Sequence, residues 1–292
     1  MSPAPRRDII TAVPVAFRED GALDLEGSSA IMRYVAQSGN EGAFVLGTTG
    51  EFVALSEEER GRLVEAAIEV LSPVMRVIVH VGAGSLAEVL RLIAQARAAG
   101  AREIAVLTPY YLPASDAALR TFFRAVSDAS AGLDVYVYVY RKRANNFVSE
   151  DLMAEIAALP NFVGAKVSEE SLEQLAAYRA VVPEDFIIYT GADADLLRVT
   201  DFGAQGVISG VSSVLPKPFR AGLAVAGSDD ADAVAAAQRD IDDAVGAIAG
   251  DMGRMKAAYA LMGIDAGTTR MAIEPPSEAT VEVLRAAIAA HA

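Results

Sequence analysis

The chain has 292 residues, 53% of them hydrophobic and 22% charged, an ordinary globular balance with room for one large domain or two modest ones. Its formal charge of −14 argues against general nucleic-acid binding, because the summed field repels a phosphate backbone. The absence of cysteine excludes disulfides, thiolate metal sites and cysteine nucleophiles.

The chain starts MSPAPRRDII, two arginines without an apolar core and cleavage site behind them, so no signal peptide is expected. The first β-rich run, Ile9–Phe17, precedes a helical stretch at Leu25–Gln37. Gly42–Gly47 precedes a helix that Ser56 and Glu59 open at capping-box spacing. Arg76–Gly82 is followed by a helix over Leu86–Ala99, which Gly100 ends, and Glu103–Pro109 by one around Ala117–Ala129. Asp134–Tyr140 precedes a helix at Ser149–Ala158, and Asn161–Val167 one near Leu172–Val181. Phe186–Gly191 leads to a predicted helix at Ala194–Phe202, and Gly206–Gly210 closes the series.

Eight strand–helix units of nearly continuous apolar strands imply an α/β fold, a parallel (β/α)8 TIM barrel rather than an open sheet. The dinucleotide alternative lacks a Gly-x-Gly-x-x-Gly after the first strand. Beyond about Leu223 the pattern is helical, with a last helix near Glu278–Ala290. The expected organisation is a barrel over residues 1–221 carrying the active site, with C-terminal helices at 222–292 packed on it. No run approaches the roughly 18 apolar residues a membrane span needs, so a soluble protein is expected, and the lack of cysteine is compatible with a cytoplasmic one. With only His80 and His291, a histidine-rich metal centre is out of reach, and neither metal nor cofactor is expected.

In a parallel barrel the chemistry sits at the C-terminal ends of the strands. There the chain places GTTGE (Gly47–Glu51), TPYY (Thr108–Tyr111), Tyr138, Tyr140 and Arg143, then Lys166, Gly191 and Ile208. Lys166 is the informative member: the chain has only four lysines, and this one interrupts the apolar run Val163–Val167. A free lysine has a pKa near 10.4, leaving about a tenth of a per cent neutral at pH 7.5. Burial disfavours the cation and raises the nucleophilic fraction, and a neutral amine condenses with a ketone to form a Schiff base. The plainer reading is a lysine that reaches solvent or pairs with Glu169 or Glu170.

Other candidates also carry two readings. Thr48 and Thr49 in a glycine-flanked turn suit a small carboxylate, or the turn only redirects the chain, with Gly50 supplying the special dihedral. Tyr136, Tyr138 and Tyr140 share one strand face, and one at the strand end is a candidate proton carrier; spacing leaves Tyr138 and Tyr140 both open. Arg143 could grip a substrate carboxylate or be surface charge. His80 reads best as a satisfied core residue.

Together these residues resemble the dihydrodipicolinate synthase / N-acetylneuraminate lyase family of Schiff-base barrels. GTTGEF, LTPYY, GAK, GAD and GVISG occur in the family's order and spacing along nearly the whole chain. The resemblance implies a lyase of the class I aldolase type, with Lys166 condensing with the keto group of pyruvate or another 2-oxo acid. Thr48 and Thr49 would bind the carboxylate, with Gly47, Gly191 and Ile208 lining the pocket. Tyr138, counted back from Lys166, would carry protons, and Thr48 would link it to Tyr111 of a neighbouring subunit, so a homo-oligomer, dimer or tetramer, is implied.

The chain departs from that family at strand five. Tyr138-Val139-Tyr140-Arg141 lacks the usual asparagine and proline, Val167 stands where an acidic residue often follows the lysine, and the asparagine common near Ser213 is missing. Counting toward the dehydratase branch puts Tyr140 in the catalytic role. Arg143 falls where the synthase branch keeps its arginine for the aldehyde's carboxylate. The leading expectation is a 4-hydroxy-tetrahydrodipicolinate synthase-like condensation of pyruvate with an aldehyde. The alternatives are a 2-oxo-3-deoxy sugar acid aldolase or dehydratase, and a catalytically silent barrel that binds a small acid.

Overall fold

Eight short strands alternate with helices over residues 7–292, the part described by a computed structural model of the chain. They are β1 (Asp8–Ala12), β2 (Gly42–Val45), β3 (Arg76–His80), β4 (Glu103–Leu107), β5 (Asp134–Val139), β6 (Phe162–Val167), β7 (Ile187–Thr190) and β8 (Gly206–Ser209). They run in parallel in chain order around a closed barrel, as the strand–helix alternation implies. Both faces of these strands are buried, which is why they read as unbroken apolar runs.

The helices are α1 (Leu25–Ala36), α2 (Glu57–Leu71), α3 (Leu86–Ala98), α4 (Asp116–Ala129), α5 (Arg141–Ala144) and α6 (Glu150–Ala157). They continue as α7 (Leu172–Val181), α8 (Val211–Val214), α9 (Pro216–Val225), α10 (Ala231–Ile248), α11 (Met252–Leu261) and α12 (Glu278–His291). The residues divide into two compact units.

One unit comprises Ile78–Ala192 and Arg198–Ile208. Its strands align Leu107 with Tyr138, Tyr138 with Lys166, and Lys166 with Tyr189. Side chains in register on parallel strands share a face, so the phenols of β5 and β7 flank the lysine of β6. One step deeper, the Tyr136 and Tyr189 rings stack at 6.1 Å. Gly164 makes room for them, since a Cβ there would lie 2.6 Å from the Tyr136 ring. On the outside, α4 buries Leu119, Phe122, Phe123 and Val126, one helical stripe, and Phe123 meets Phe162 of β6 edge-on at 5.9 Å. Truncating such a buried phenylalanine to alanine costs about 3–5 kcal/mol.

The other unit comprises Asp8–Val77, Asp193–Leu197 and Ser209–Ala292. Here β1 pairs with β2, and α2 opens with the predicted capping box, Ser56 accepting from the Glu59 amide and Glu59 from the Ser56 amide. Helices α9, α10 and α12 pack on one another, as do α11 and α12. Position 221/222, the expected boundary, falls inside α9.

Two local expectations change. The first strand ends at Ala12 rather than Phe17, because Pro14 has no N–H for the ladder. Ala194–Phe202 forms 3-10 turns at Asp193–Asp195 and Val199–Phe202 instead of an α-helix. β-branched Val199 and Thr200, and Gly203 at φ 75° just beyond, disfavour a longer helix.

Candidate active site

Lys166 is the next-to-last residue of β6 and only 5% exposed. Its Nζ lies 4.3 Å from the centre of the Tyr138 ring. An aromatic face attracts an ammonium without holding it as a carboxylate would. Elsewhere, Lys142 pairs with Glu169 at 3.2 Å, Lys256 pairs with Glu51 at 2.9 Å, and Lys217 donates to the Ala292 carbonyl. Glu169, a partner that the sequence offered to Lys166, thus spends one carboxylate oxygen on Lys142.

Around the lysine, the Tyr138 ring meets His80 edge-on at 5.7 Å and Tyr140 at 6.1 Å. His80 is fully buried. Gly191 follows β7 and donates its amide to Val167 O at 2.8 Å. A Cβ on Gly191 would lie 2.4 Å from Ser168 Oγ and 3.1 Å from Ser168 Cβ, so a larger residue there would displace the Ser168 side chain. Ile208 is buried in β8.

Tyr138 and Tyr140 differ in their surroundings. The Tyr140 hydroxyl donates to Glu169 Oε1 and accepts from Arg143 Nε at 2.7 Å. Burial, then the Glu169 carboxylate, push its pKa up to about 12, although Arg143 opposes the shift. The same contact with Tyr140 raises Arg143 above the ordinary guanidinium value, and Glu169 is held below the usual carboxylate range, first by Tyr140 and then by Lys142. The atypical loop winds into α5, one short turn carrying Arg141, Lys142 and Arg143.

Tyr111 is 85% exposed and holds a left-handed backbone at φ 80°. That conformation costs a non-glycine residue of order 1 kcal/mol or more and collects at functional positions. The loop behind it is pinned by Asn146, whose side-chain amide donates to Pro109 O at 2.6 Å and Leu112 O at 3.0 Å, while its oxygen accepts from Ala114 N.

In the second unit, Thr48–Gly50 form a 3-10 turn after β2, with both threonines half-buried. A Cβ on Gly47 would strike the Phe44 ring at 2.6 Å, so this glycine answers to packing. Gly50 does not supply the left-handed dihedral expected of it; Leu46 (φ 61°) and Glu51 (φ 51°) do. Glu51 sustains it because its buried carboxylate is held three ways. Arg270 N and Met271 N donate to Oε2 at 2.8 and 2.7 Å, and Lys256 pairs with Oε1.

Sequence reasoning missed this Glu51–Lys256 lock, the Tyr140–Glu169 contact and the role of Asn146. Only Glu51 carried a signal, as an acidic residue directly behind the threonine turn. Among the described residues, no helix is long and apolar enough to cross a membrane.

Comparison with known proteins places these features in context. The profile of the Dihydrodipicolinate synthetase family matches residues 5–291. A 4-hydroxy-tetrahydrodipicolinate synthase of Thermotoga sp. (strain RQ2) is 32% identical over 285 residues, 96% of either chain. The crystal structure of dihydrodipicolinate synthase from Thermotoga maritima superimposes with a TM-score of 0.88 at 31% identity, covering 98% of this chain and 99% of that one. N-acetylneuraminate lyase from Mycoplasma synoviae shares the fold, with a TM-score of 0.87 at 22% identity over 98% of each chain.

Proposed function

The chain belongs to the dihydrodipicolinate synthetase family, whose members are lyases working through a lysine Schiff base, and from that premise we propose that it condenses pyruvate with a carboxylate-bearing aldehyde. Aspartate 4-semialdehyde, the acceptor of a 4-hydroxy-tetrahydrodipicolinate synthase, is the leading candidate. The observation that carries this reading is the buried Lys166 amine over the Tyr138 ring.

In the proposed cycle, the neutral Lys166 amine adds to the keto carbon of pyruvate. Tyr138 protonates the carbinolamine oxygen, water leaves, and an iminium remains. Loss of a methyl proton gives an enamine, which attacks the aldehyde carbon while the aldehyde oxygen takes up a proton. Hydrolysis of the imine then releases the product and returns the amine.

Tyr138 is preferred to Tyr140 as proton carrier. A hydroxyl already donating to Glu169, with its proton held as tightly as Tyr140's, is the poorer acid. Thr48 and Thr49 would hold the pyruvate carboxylate through hydroxyl and amide donors, with Gly47, Gly191 and Ile208 shaping that pocket. Arg143 would take the acceptor's carboxylate.

Tyr111 would complete the proton relay through Thr48 from a second subunit, which makes a homo-oligomer, a dimer or tetramer, part of the proposal. Its exposure and left-handed backbone accord with a role outside its own chain's core. A chain without cysteine accords with action in the cytoplasm.

A second reading, an aldolase or dehydratase for 2-oxo-3-deoxy sugar acids, draws on Tyr140 and Arg141 replacing the family's usual loop residues. Product analysis separates the two. With pyruvate and aspartate 4-semialdehyde, the first reading expects a condensation product and no turnover of 2-oxo-3-deoxy acids. Cleavage or dehydration of those acids, with no product from the semialdehyde, would replace it with the second.

A further inference from the structure

Beyond β5, the chain builds a chain of charges and hydroxyls that leads to Arg143. Lys142 Nζ lies 3.2 Å from Glu169 Oε2, Glu169 Oε1 accepts from the Tyr140 hydroxyl, and that hydroxyl accepts from Arg143 Nε at 2.7 Å. The guanidinium also lies over the Tyr140 ring, its carbon 5.3 Å from the ring centre. A side chain with several rotatable bonds is thereby held at one edge and on one face. No described residue accepts from its two terminal amino groups, which are the pair that grips a carboxylate in the fork geometry.

Glu169 keeps this arrangement at the expense of a left-handed backbone, φ 56°, which a residue with a side chain rarely adopts unless its surroundings impose it. The carboxylate is therefore placed against its backbone preference, next to the phenol that accepts from Arg143.

We propose that Glu169 and Tyr140 are positioning residues for acceptor specificity: together they fix the Arg143 guanidinium so that its free edge selects an aldehyde carrying a carboxylate. The inference rests on the Schiff-base reading above and adds to it the residues that determine which acceptor is taken. In this account Glu169 acts on the acceptor side alone, and Tyr140 touches the donor side through its ring against Tyr138, a contact that Tyr140→Phe keeps, so donor and acceptor effects separate.

The test compares aspartate 4-semialdehyde with 3-aminopropanal, the same aldehyde without its carboxylate, in the wild-type chain and in Glu169→Ala, Tyr140→Phe and Glu169→Gln. The ratio of kcat/KM for the two acceptors should fall about tenfold in Glu169→Ala and Tyr140→Phe, the worth of one charge-assisted contact. Glu169→Gln, which keeps an acceptor for Tyr140, should fall between them and wild type. Borohydride trapping of pyruvate on Lys166 should stay within about twofold of wild type in all three, which a general loss of structure would not allow.

The inference is overturned if trapping is intact and the ratio is unchanged in both Glu169→Ala and Tyr140→Phe. A wild-type chain that shows no preference for the carboxylate-bearing aldehyde overturns it as well. Absence of trapping in the wild-type chain brings down the Schiff-base reading itself.

Discussion

The Nζ of Lys166 lies 4.3 Å from the centre of the Tyr138 ring, and the two residues are register partners on neighbouring strands. Strand pairing therefore places the two side chains on one face as neighbours. In the proposed cycle, a proton carrier held by a β-sheet would need no closing step to reach the nucleophile.

Tyr138→Phe keeps the ring under the amine and removes only the hydroxyl. We expect kcat to fall about 100-fold or more, the usual worth of a general acid, while pyruvate can still be trapped on Lys166. Steady-state kinetics beside Tyr140→Phe checks the assignment. If Tyr138→Phe stays within about threefold of wild type and Tyr140→Phe loses the activity, the two roles are reversed.

Lys256 is the other buried amine, and it is tied to Glu51 behind the threonine turn. Desolvation lowers its affinity for a proton and the Glu51 contact restores part of it. Lys256→Met should cost about 3–5 kcal/mol by leaving a buried carboxylate without its cation. In urea denaturation, the double change Glu51→Gln with Lys256→Met should recover at least about 1 kcal/mol of that loss. Additive losses would show that the pair does not act as a unit.

Much of this architecture is legible in the amino-acid sequence. Continuous apolar runs at regular spacing give the barrel, and Ser56 with Glu59 gives the start of α2. Lys166 stood out because charge inside such a run is costly. What stayed hidden were contacts between residues far apart in sequence. Glu169 meets Tyr140 across 29 positions and Lys256 meets Glu51 from a far more distant part of the sequence, and no periodicity encodes either. Pro14 did carry its message, and the end of β1 follows from it. The Ala194–Phe202 stretch misled because its composition suits a helix while its β-branched residues and Gly203 favour short turns.

Glu59 ties the start of α2 to Arg270, whose two terminal nitrogens reach the carboxylate at 2.7 and 2.8 Å. Arg270 is the main cause that brings the Glu59 pKa down to about 2. The folded value lies below the unfolded one of about 4.3, so the contribution is present above that pH and is lost as pH falls toward 2. Wild type should exceed Glu59→Gln by about 1 kcal/mol near pH 6, a modest figure because the pair is partly screened by solvent. The gap should close by about pH 2–3. A gap that is constant with pH would assign it to packing instead.

The Schiff base is tested most directly by incubating the protein with pyruvate and borohydride, then mapping the adduct by peptide mass spectrometry. The account predicts one reduced pyruvyl group on the peptide carrying Lys166, and none in Lys166→Ala. No adduct, or one on Lys142, Lys217 or Lys256 with Lys166 unmodified, would contradict it.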